Sequence, residues 1–245
     1  MIVKQPAIVL KTVDFRESSC IATLLTRDYG KIAVMVRGLR KKGSRHSGLF
    51  QQGSMLEAVY YDKDSRSVQN LKEATLQQAT YHIQENLEKM ALATITIEIV
   101  EQLAQDREPA ESLFEFLSKL LKWLHQTDHN PAHLFPYVQL RLAEIMGIGL
   151  QFSEKQIPQN GYSSYLCVEE GEIRLESDNS LSLKLKPNQT LYINLVLQNK
   201  QKELLQRSFP CDEIRTLIHH LDVYLKHHLE GLRDRKSDHI FNQIL

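Results

Sequence analysis

The chain has 245 residues, 42% of them hydrophobic and 24% charged, a composition typical of a globular protein with one or two hydrophobic cores. It contains no run of roughly 20 uninterrupted apolar residues of the kind that a membrane-spanning helix needs, and its three widely separated cysteines argue against a disulfide framework. The net charge is zero, but residues 1–80 hold thirteen Lys or Arg against seven Asp or Glu, so a basic N-terminal part precedes an acidic remainder.

The first 80 residues predict five short strands. Apolar and β-branched residues recur at two-residue spacing in segments that are separated by turn residues, notably Gly30. The predicted strands span residues 7–12, 18–26, 31–36, 54–61 and 67–75. Five strands in so short a segment is the count of an OB-fold, a small Greek-key barrel that commonly binds oligonucleotides, although other small barrels fit the pattern equally well.

From residue 81 the apolar spacing becomes helical. We predict helices over the segments 88–105, 109–125, 131–146, 187–198 and 212–230. Residues 151–186 interrupt this series with two or three short strands. The sequence therefore predicts an α+β protein with an OB-fold-like five-stranded β-barrel over residues 1–80. A mostly α-helical domain over residues 81–245 follows, with a small β insert at about 151–186.

A basic, glycine-rich loop separates the third and fourth predicted strands. Residues 37–48 contain five cations, three glycines and no acid. Cations neutralise phosphates and release counterions, and glycines let the backbone approach a ligand closely, so we predict DNA or RNA binding here. The same composition is also typical of a solvent-exposed loop that binds no ligand, and this alternative stays open. The candidate DNA-binding residues are Arg37, Arg40, Lys41, Lys42 and Arg45 in the loop, and Lys31 and Arg16 beside it.

Three aromatic residues of the strand-rich part are candidates for stacking on bases: Phe15, Tyr29 and Phe50. Aromatic side chains more often pack in the core or at its rim, and that interpretation stays open for each of the three.

The sequence carries none of the common catalytic signatures: no phosphate-binding loop, no dinucleotide-binding fingerprint, no H-E-x-x-H and no G-x-S-x-G. His125, Asp128, His129 and His133 have a spacing that could suit a metal, but Asp128 fits a helix end better. We therefore predict a protein that is not an enzyme and holds no metal or other cofactor. A protein-interaction scaffold and an RNA-binding OB-fold protein are the alternatives.

The order of elements and the motifs between them resemble the RecO family. In that family a Glu-Ser pair leads into a strand, a Gly-Lys hairpin follows, and the next strand ends in a glycine and an arginine before a basic loop. The corresponding positions here are Glu17-Ser18, Thr26, Gly30-Lys31, Gly38, Arg40, Ser44 and Gly48-Leu49. Further matches are Arg141-Leu142, Gly147-Ile148-Gly149-Leu150 and Phe209-Pro210, so the resemblance covers nearly the whole chain.

The resemblance implies a function in recombinational DNA repair. RecO-like proteins bind single-stranded DNA through the barrel, engage RecR and the C-terminal tail of single-strand binding protein, help load the recombinase RecA, and can anneal complementary strands. By this resemblance we expect single-stranded DNA, RecR, that tail and RecA filaments as partners, no membrane, and a cytoplasmic, nucleoid-associated location.

One departure from the family lies in residues 151–185, where many RecO proteins carry a four-cysteine zinc motif. This chain has only Cys167 in that region, and a tetrahedral zinc site needs four thiolate or imidazole ligands. We therefore expect no zinc here, and we expect packing to stabilise the small β insert.

Overall fold

The computed structural model of the chain describes residues 1–39, 44, 48–78, 80–129, 131–153, 162–177 and 181–244. The chain forms two compact units. The first contains Met1–Asp128 and Arg235–Ser237, and the second contains His129–Asp234 and Asp238–Leu245. The helices between residues 81 and 128 thus belong to the same compact unit as the strands. We keep residue 80 as the proposed boundary between the barrel and the helices that follow it.

Five strands of the first unit close into a barrel. They are β1 (Ile2–Phe15), β2 (Ser19–Thr26), β3 (Gly30–Val36), β4 (Met55–Tyr61) and β5 (Val68–Gln78). Their order around the barrel is β1-β2-β3-β5-β4, and only the β3–β5 pair is parallel among these strands. The structure confirms the predicted OB-fold-like barrel within an α+β protein.

The first strand is longer than the sequence pattern predicts. Its beginning pairs with β4 from Ile2 to Ile8, and its end pairs with β2 from Ala7 to Phe15. The register shifts between Val9 and Lys11, which bends the strand so that it contributes to both sides of the barrel closure.

Alternate side chains of the strands fill the barrel interior, because successive residues of a strand point to opposite faces. Val9, Leu24, Val34 and Leu56 are fully buried there. Phe50, from the connection between β3 and β4, joins this core. Burial of each such side chain stabilises the fold by roughly 1.5–3 kcal/mol.

Three helices complete the first unit: α1 (Tyr81–Gln84), α2 (Leu87–Leu103) and α3 (Glu111–Gln126). The side chain of Asn86 caps α2 by accepting a hydrogen bond from the backbone N–H of Lys89 at 2.8 Å. Helix α2 is buried along most of its length, as predicted from its apolar residues. Helix α3 begins at Glu111, after Pro109 rather than at it.

The connection between α2 and α3 closes over the β2–β3 hairpin. The backbone N–H of Lys31 donates to the carbonyl of Gln105 at 3.0 Å, and the N–H of Arg107 donates to the carbonyl of Lys31 at 3.1 Å. Gly30 has a φ of +54°, and a Cβ at this position would lie 2.0 Å from the carbonyl oxygen of Glu108. The turn at Gly30 is therefore in direct backbone contact with the α2–α3 connection.

The second unit contains helices around a small sheet. The helical elements are a 3-10 turn (Ala132–Leu134), α4 (Phe135–Ile145), α5 (Pro187–Leu197), α6 (Gln201–Gln206), α7 (Cys211–His228) and α8 (Asp238–Ile244). The strands β6 (Gln151–Phe152), β7 (Ser164–Cys167), β8 (Glu172–Arg174) and β9 (Ser182–Leu185) form a sheet in the order β6-β8-β7-β9. The sequence pattern anticipated this sheet except for the two-residue strand β6.

Two side chains of α7 contact the turn of the small sheet. The hydroxyl of Tyr224 donates to the carbonyl of Ile148 at 2.6 Å and lies where a Cβ on Gly171 would come within 2.7 Å. A ring nitrogen of His228 is 2.7 Å from the carbonyl oxygen of Val168. The centres of the Tyr224 and His228 rings lie 4.6 Å apart. Together with the buried Cys167, these contacts fix the β7–β8 turn against the helix.

Two histidines of the second unit make its stability depend on pH. His133 and His220 each have a buried ring nitrogen without a hydrogen-bond partner among the described residues. Burial lowers the pKa of both side chains below the ordinary value of about 6.5, and the neighbouring His219 lowers that of His220 further. Their stabilisation is complete above about pH 6.5 and is lost as the pH falls, because the unfolded chain then binds protons that the folded chain excludes.

We therefore expect the free energy of unfolding to decrease between about pH 7.5 and pH 5.5, by at most about 1.4 kcal/mol per pH unit for each histidine. Urea unfolding at the two pH values measures the decrease. The double variant His133→Gln, His220→Gln should show a smaller decrease, and an unchanged pH dependence in that variant would contradict this role of the two side chains.

Candidate nucleic-acid interface

Three strands end or begin at one end of the barrel, beside the basic loop. Phe15 pairs with Ser19 as the last pair of β1 and β2, and Cys20 pairs with Val36 as the last pair of β2 and β3. Arg37 follows Val36 directly and is exposed. The β1–β2 turn, which contains Arg16, and the basic connection that begins at Arg37 therefore leave the barrel at the same end.

The outer face of the barrel at this end is apolar and accessible. Val13, Ile21 and Met35 are register partners across β1, β2 and β3, while the adjacent residues of β2 and β3, Cys20 and Val36, are buried. Val13 is 56% exposed and Phe15 is 36% exposed. We call this surface the open face, and it consists of Val13, Phe15, Arg16, Ser19, Ile21, Met35 and Arg37.

Arg16 has an unusual backbone conformation in the β1–β2 turn. Its φ is +55°, in the left-handed region that costs a residue with a side chain roughly 1–2 kcal/mol. The guanidinium carbon lies 5.2 Å from the centre of the Phe15 ring, a cation–π distance. The turn thus places a cation directly against the exposed aromatic ring of the open face.

Lys31 lies at the other end of β3, where it contacts acidic residues and backbone. Its ammonium donates to the carbonyl of Glu101 at 3.1 Å, lies 3.5 Å from the carboxylate of Asp106, and is only 23% exposed. Lys11 on β1 forms an ion pair with the carboxylate of Glu101. At about 3.3 Å per residue, Lys31 is roughly 20 Å along the strand from Arg37, so the structure does not bring the two cations together.

We therefore expect Lys31→Met to destabilise the first unit by about 1 kcal/mol, through loss of its hydrogen bond and ion pair, and to leave single-strand affinity within about twofold of the original. Urea unfolding and fluorescence anisotropy with a labelled oligonucleotide measure the two effects. A loss of affinity as large as that of Arg37→Ala would show that Lys31 does contact DNA.

Four of the candidate loop residues, Arg40, Lys41, Lys42 and Arg45, lie outside the described residues. The structure describes the two flanks of the loop, where Gly38 and Gly48 have φ values of +71° and +78°. The loop thus begins and ends in backbone conformations that favour glycine.

The structure separates the three aromatic candidates. Phe50 is 5% exposed and belongs to the barrel core, where its carbonyl accepts a hydrogen bond from Thr12 at 2.9 Å. Tyr29 is partly buried and packs against the same core. Of the three, Phe15 alone lies on the surface, on the open face.

Of the candidate metal ligands His125, Asp128, His129 and His133, the first contacts another histidine of the first unit. His125 stacks on His82 with ring centres 4.8 Å apart, and His82 in turn is 2.9 Å from the carboxylate of Glu85. Among the residues that the structure describes, no three His, Cys, Asp or Glu side chains are grouped so that they could hold a metal ion.

Within the described parts of the chain, every helix is too short or too polar to cross a membrane.

Comparison with known proteins agrees with this architecture. Residues 1–80 match the family model for the N-terminal part of recombination protein O, and residues 84–238 match the model for its C-terminal part. The chain is 27% identical to the DNA repair protein RecO of Chloroherpeton thalassium over 100% of both chains. It is 30% identical to that of Chlorobium phaeobacteroides over 100% of this chain and 99% of the relative. A match of 33% identity to the RecO of Salinibacter ruber covers 60% of this chain and 56% of the relative.

Proposed function

Because this chain belongs to the RecO family of DNA repair proteins, we propose that it binds single-stranded DNA through the open face and the basic loop. In this proposal it acts as a recombination mediator and annealing protein, and it helps load a recombinase onto strands covered by single-strand binding protein. The observation that carries the proposal is the placement of Arg16 and of Arg37, where the basic loop begins, at one exposed end of an OB-like barrel.

The proposed contacts are electrostatic. Arg16 and Arg37 are exposed, and the loop between them and β4 adds Arg40, Lys41, Lys42 and Arg45. Guanidinium and ammonium groups at this end would neutralise phosphates and release counterions, so binding should weaken as salt is added. Phosphates are the same in every sequence, and sequence preference should therefore be weak.

The proposal includes no covalent chemistry. The open face presents two guanidinium groups, apolar side chains and a serine, which can bind a strand but do not form a set of nucleophile, base and oxyanion donors. We therefore propose that the protein contributes to repair by holding and presenting DNA strands.

Protein partners follow from the family resemblance. We propose RecR, the C-terminal tail of single-strand binding protein and RecA filaments as partners. The second unit is our candidate receptor for the tail, because grooves between packed helices commonly accept short peptide segments.

A salt titration tests the DNA-binding proposal. We compare the original protein with the variant Arg40→Ala, Lys41→Ala, Lys42→Ala, Arg45→Ala on a labelled oligothymidine between about 50 and 300 mM salt. The variant should bind more weakly, and the slope of log affinity against log salt should decrease by about 0.7 for each phosphate contact that is lost.

The same titration separates the two alternatives. A protein-interaction scaffold would show little binding in either form, and that result would refute the proposal. An RNA-binding protein would bind the matched uridine strand more tightly than the thymidine strand, whereas a DNA-repair protein should not require the 2′-hydroxyl.

A further inference from the structure

We propose that Phe15 stacks on an unpaired base, so that the open face selects single strands by contact with the bases as well as the phosphates. This inference rests on the proposed DNA-binding function. It assigns to one side chain the discrimination between unpaired bases and bases hidden within a duplex.

The exposed apolar strip of the open face is the first observation. Val13 and Phe15 follow one another on the outer face of β1, and Ile21 and Met35 extend the strip across β2 and β3. Ala22, Val34 and Val36 of the barrel interior are buried, whereas Val13 is 56% exposed and Phe15 is 36% exposed. Adjacent apolar side chains that remain exposed commonly mark a contact surface.

The two arginines are the feature of this strip that fits a phosphate. Arg16 follows β1 and Arg37 follows β3, so cations flank the apolar side chains, and the exposed acidic residues Asp14 and Glu17 lie on either side of the Phe15-Arg16 pair. A nucleotide of a single strand combines a flat ring that stacks on aromatic side chains with an adjacent phosphate that pairs with arginine. A duplex offers the phosphates but keeps the faces of its bases stacked inside.

The backbone of Arg16 supports a role beyond packing. A left-handed conformation is unfavourable for arginine, and glycine would adopt it without strain. Strained residues of this kind tend to occur at functional sites. Here the strained turn puts the guanidinium 5.2 Å from the centre of the Phe15 ring, which orders the ring before a base arrives.

The barrel offers a matched control. Tyr61 on β4 is also an exposed aromatic residue, at 42%, and it pairs with Ile2 on the outer face. The nearest cation along that ladder, Lys4, is already paired with Glu57 at 2.7 Å. This second surface has an aromatic ring and an aliphatic neighbour, but its lysine is neutralised by the adjacent carboxylate.

The experiment compares two oligonucleotides of equal length and charge at one salt concentration, an oligothymidine and a strand whose nucleotides are abasic. The original protein should bind the oligothymidine about tenfold more tightly, because only that strand can stack. Phe15→Ala and Phe15→Leu should abolish most of this preference while leaving the salt slope unchanged. Phe15→Tyr should restore the preference, and Tyr61→Ala should keep it.

Two results would overturn the inference. If Phe15→Ala and Phe15→Leu, shown to be folded by urea unfolding, keep the full preference for the oligothymidine, then Phe15 does not stack on a base. If the original protein binds the abasic strand as tightly as the oligothymidine, then no base contact exists, although phosphate binding through the arginines would stand. Failure to bind either strand would instead refute the proposed DNA-binding function itself.

Discussion

Replacing Gly30 with alanine should destabilise the first unit by about 3 kcal/mol or more. Two causes add. The φ of +54° is unfavourable for a residue with a Cβ, and the new Cβ would lie 2.0 Å from the carbonyl oxygen of Glu108 and 2.7 Å from that of Gln105. Both oxygens belong to backbone, so neither can rotate away as a side chain would. The turn must separate from the α2–α3 connection or refold.

Gly48→Ala is the matched control for this prediction. Gly48 has a φ of +78°, but nothing in the described structure lies within 4 Å of a Cβ at this position. Gly48→Ala should therefore lower the free energy of unfolding only by the roughly 1–2 kcal/mol that a left-handed backbone costs a residue with a Cβ. Urea unfolding of both variants measures the difference, and equal losses would show that the contact between Gly30 and the α2–α3 connection contributes nothing to stability.

The double variant Arg16→Ala, Arg37→Ala should weaken single-strand binding by about tenfold to a hundredfold. Both side chains are exposed at the end of the barrel where β1, β2 and β3 meet the basic loop. Loss of two phosphate contacts should also reduce the slope of log affinity against log salt by about 1.4. Anisotropy titrations at several salt concentrations give the affinity and the slope from the same samples.

A control with the same loss of charge tests whether position matters. Lys119→Ala, Lys122→Ala removes two exposed cations from α3, a helix of the same unit that contributes no residue to the open face. We expect it to change affinity by less than about twofold, since distant exposed charges are screened within about 10 Å at ordinary ionic strength. Equal losses in the two double variants would mean that net charge, and not the open face, determines binding.

Arg16→Gly separates the function of Arg16 from its strain. Glycine adopts the left-handed conformation freely, so this substitution should leave the free energy of unfolding unchanged or raise it by up to about 1 kcal/mol. Single-strand affinity should nevertheless fall, because the guanidinium beside Phe15 is lost. A variant that is less stable and binds equally well would contradict the functional interpretation of this turn.

The barrel could be predicted from the sequence because its strands are set by local patterns. Two-residue alternation and the turn at Gly30 predict the strands β2 to β5. Most of their predicted ends lie within one or two residues of the ends in the structure. The first strand is harder to predict, because the sequence pattern predicts its end at Thr12 and leaves out Val13 and Phe15. Their alternation with Thr12 and Asp14 was a signal for a longer strand, but an outward-facing apolar pair resembles core residues in a sequence.

The candidate site was predictable in part. The basic loop and Arg37 stand out by composition, whereas the position of Lys31 depends on Glu101 and Asp106, which are about seventy residues further along the chain. No local pattern reveals that such a lysine is already paired. Phe50 and Phe15 illustrate the same limit, because only the closed barrel distinguishes the ring inside it from the ring on its surface.

Elements fixed by tertiary contacts were the least predictable. The short helices α6 and α8 have six and seven residues, too few for a clear apolar period. The contacts of Tyr224 and His228 with the small sheet join residues far apart in sequence. Their spacing of four along α7 predicts a shared helix face, but it does not indicate which turn that face contacts.

Photo-crosslinking tests most directly where the strand binds. An oligothymidine that carries 5-iodouracil at single positions is irradiated with the full-length protein, and the crosslinked peptides are identified by mass spectrometry. Crosslinks should concentrate in the segments 13–21 and 35–48, with Phe15 the most frequent site, and should disappear when unlabelled strand competes. Crosslinks confined to the second unit, with none on the first three strands or the basic loop, would contradict binding at the open face.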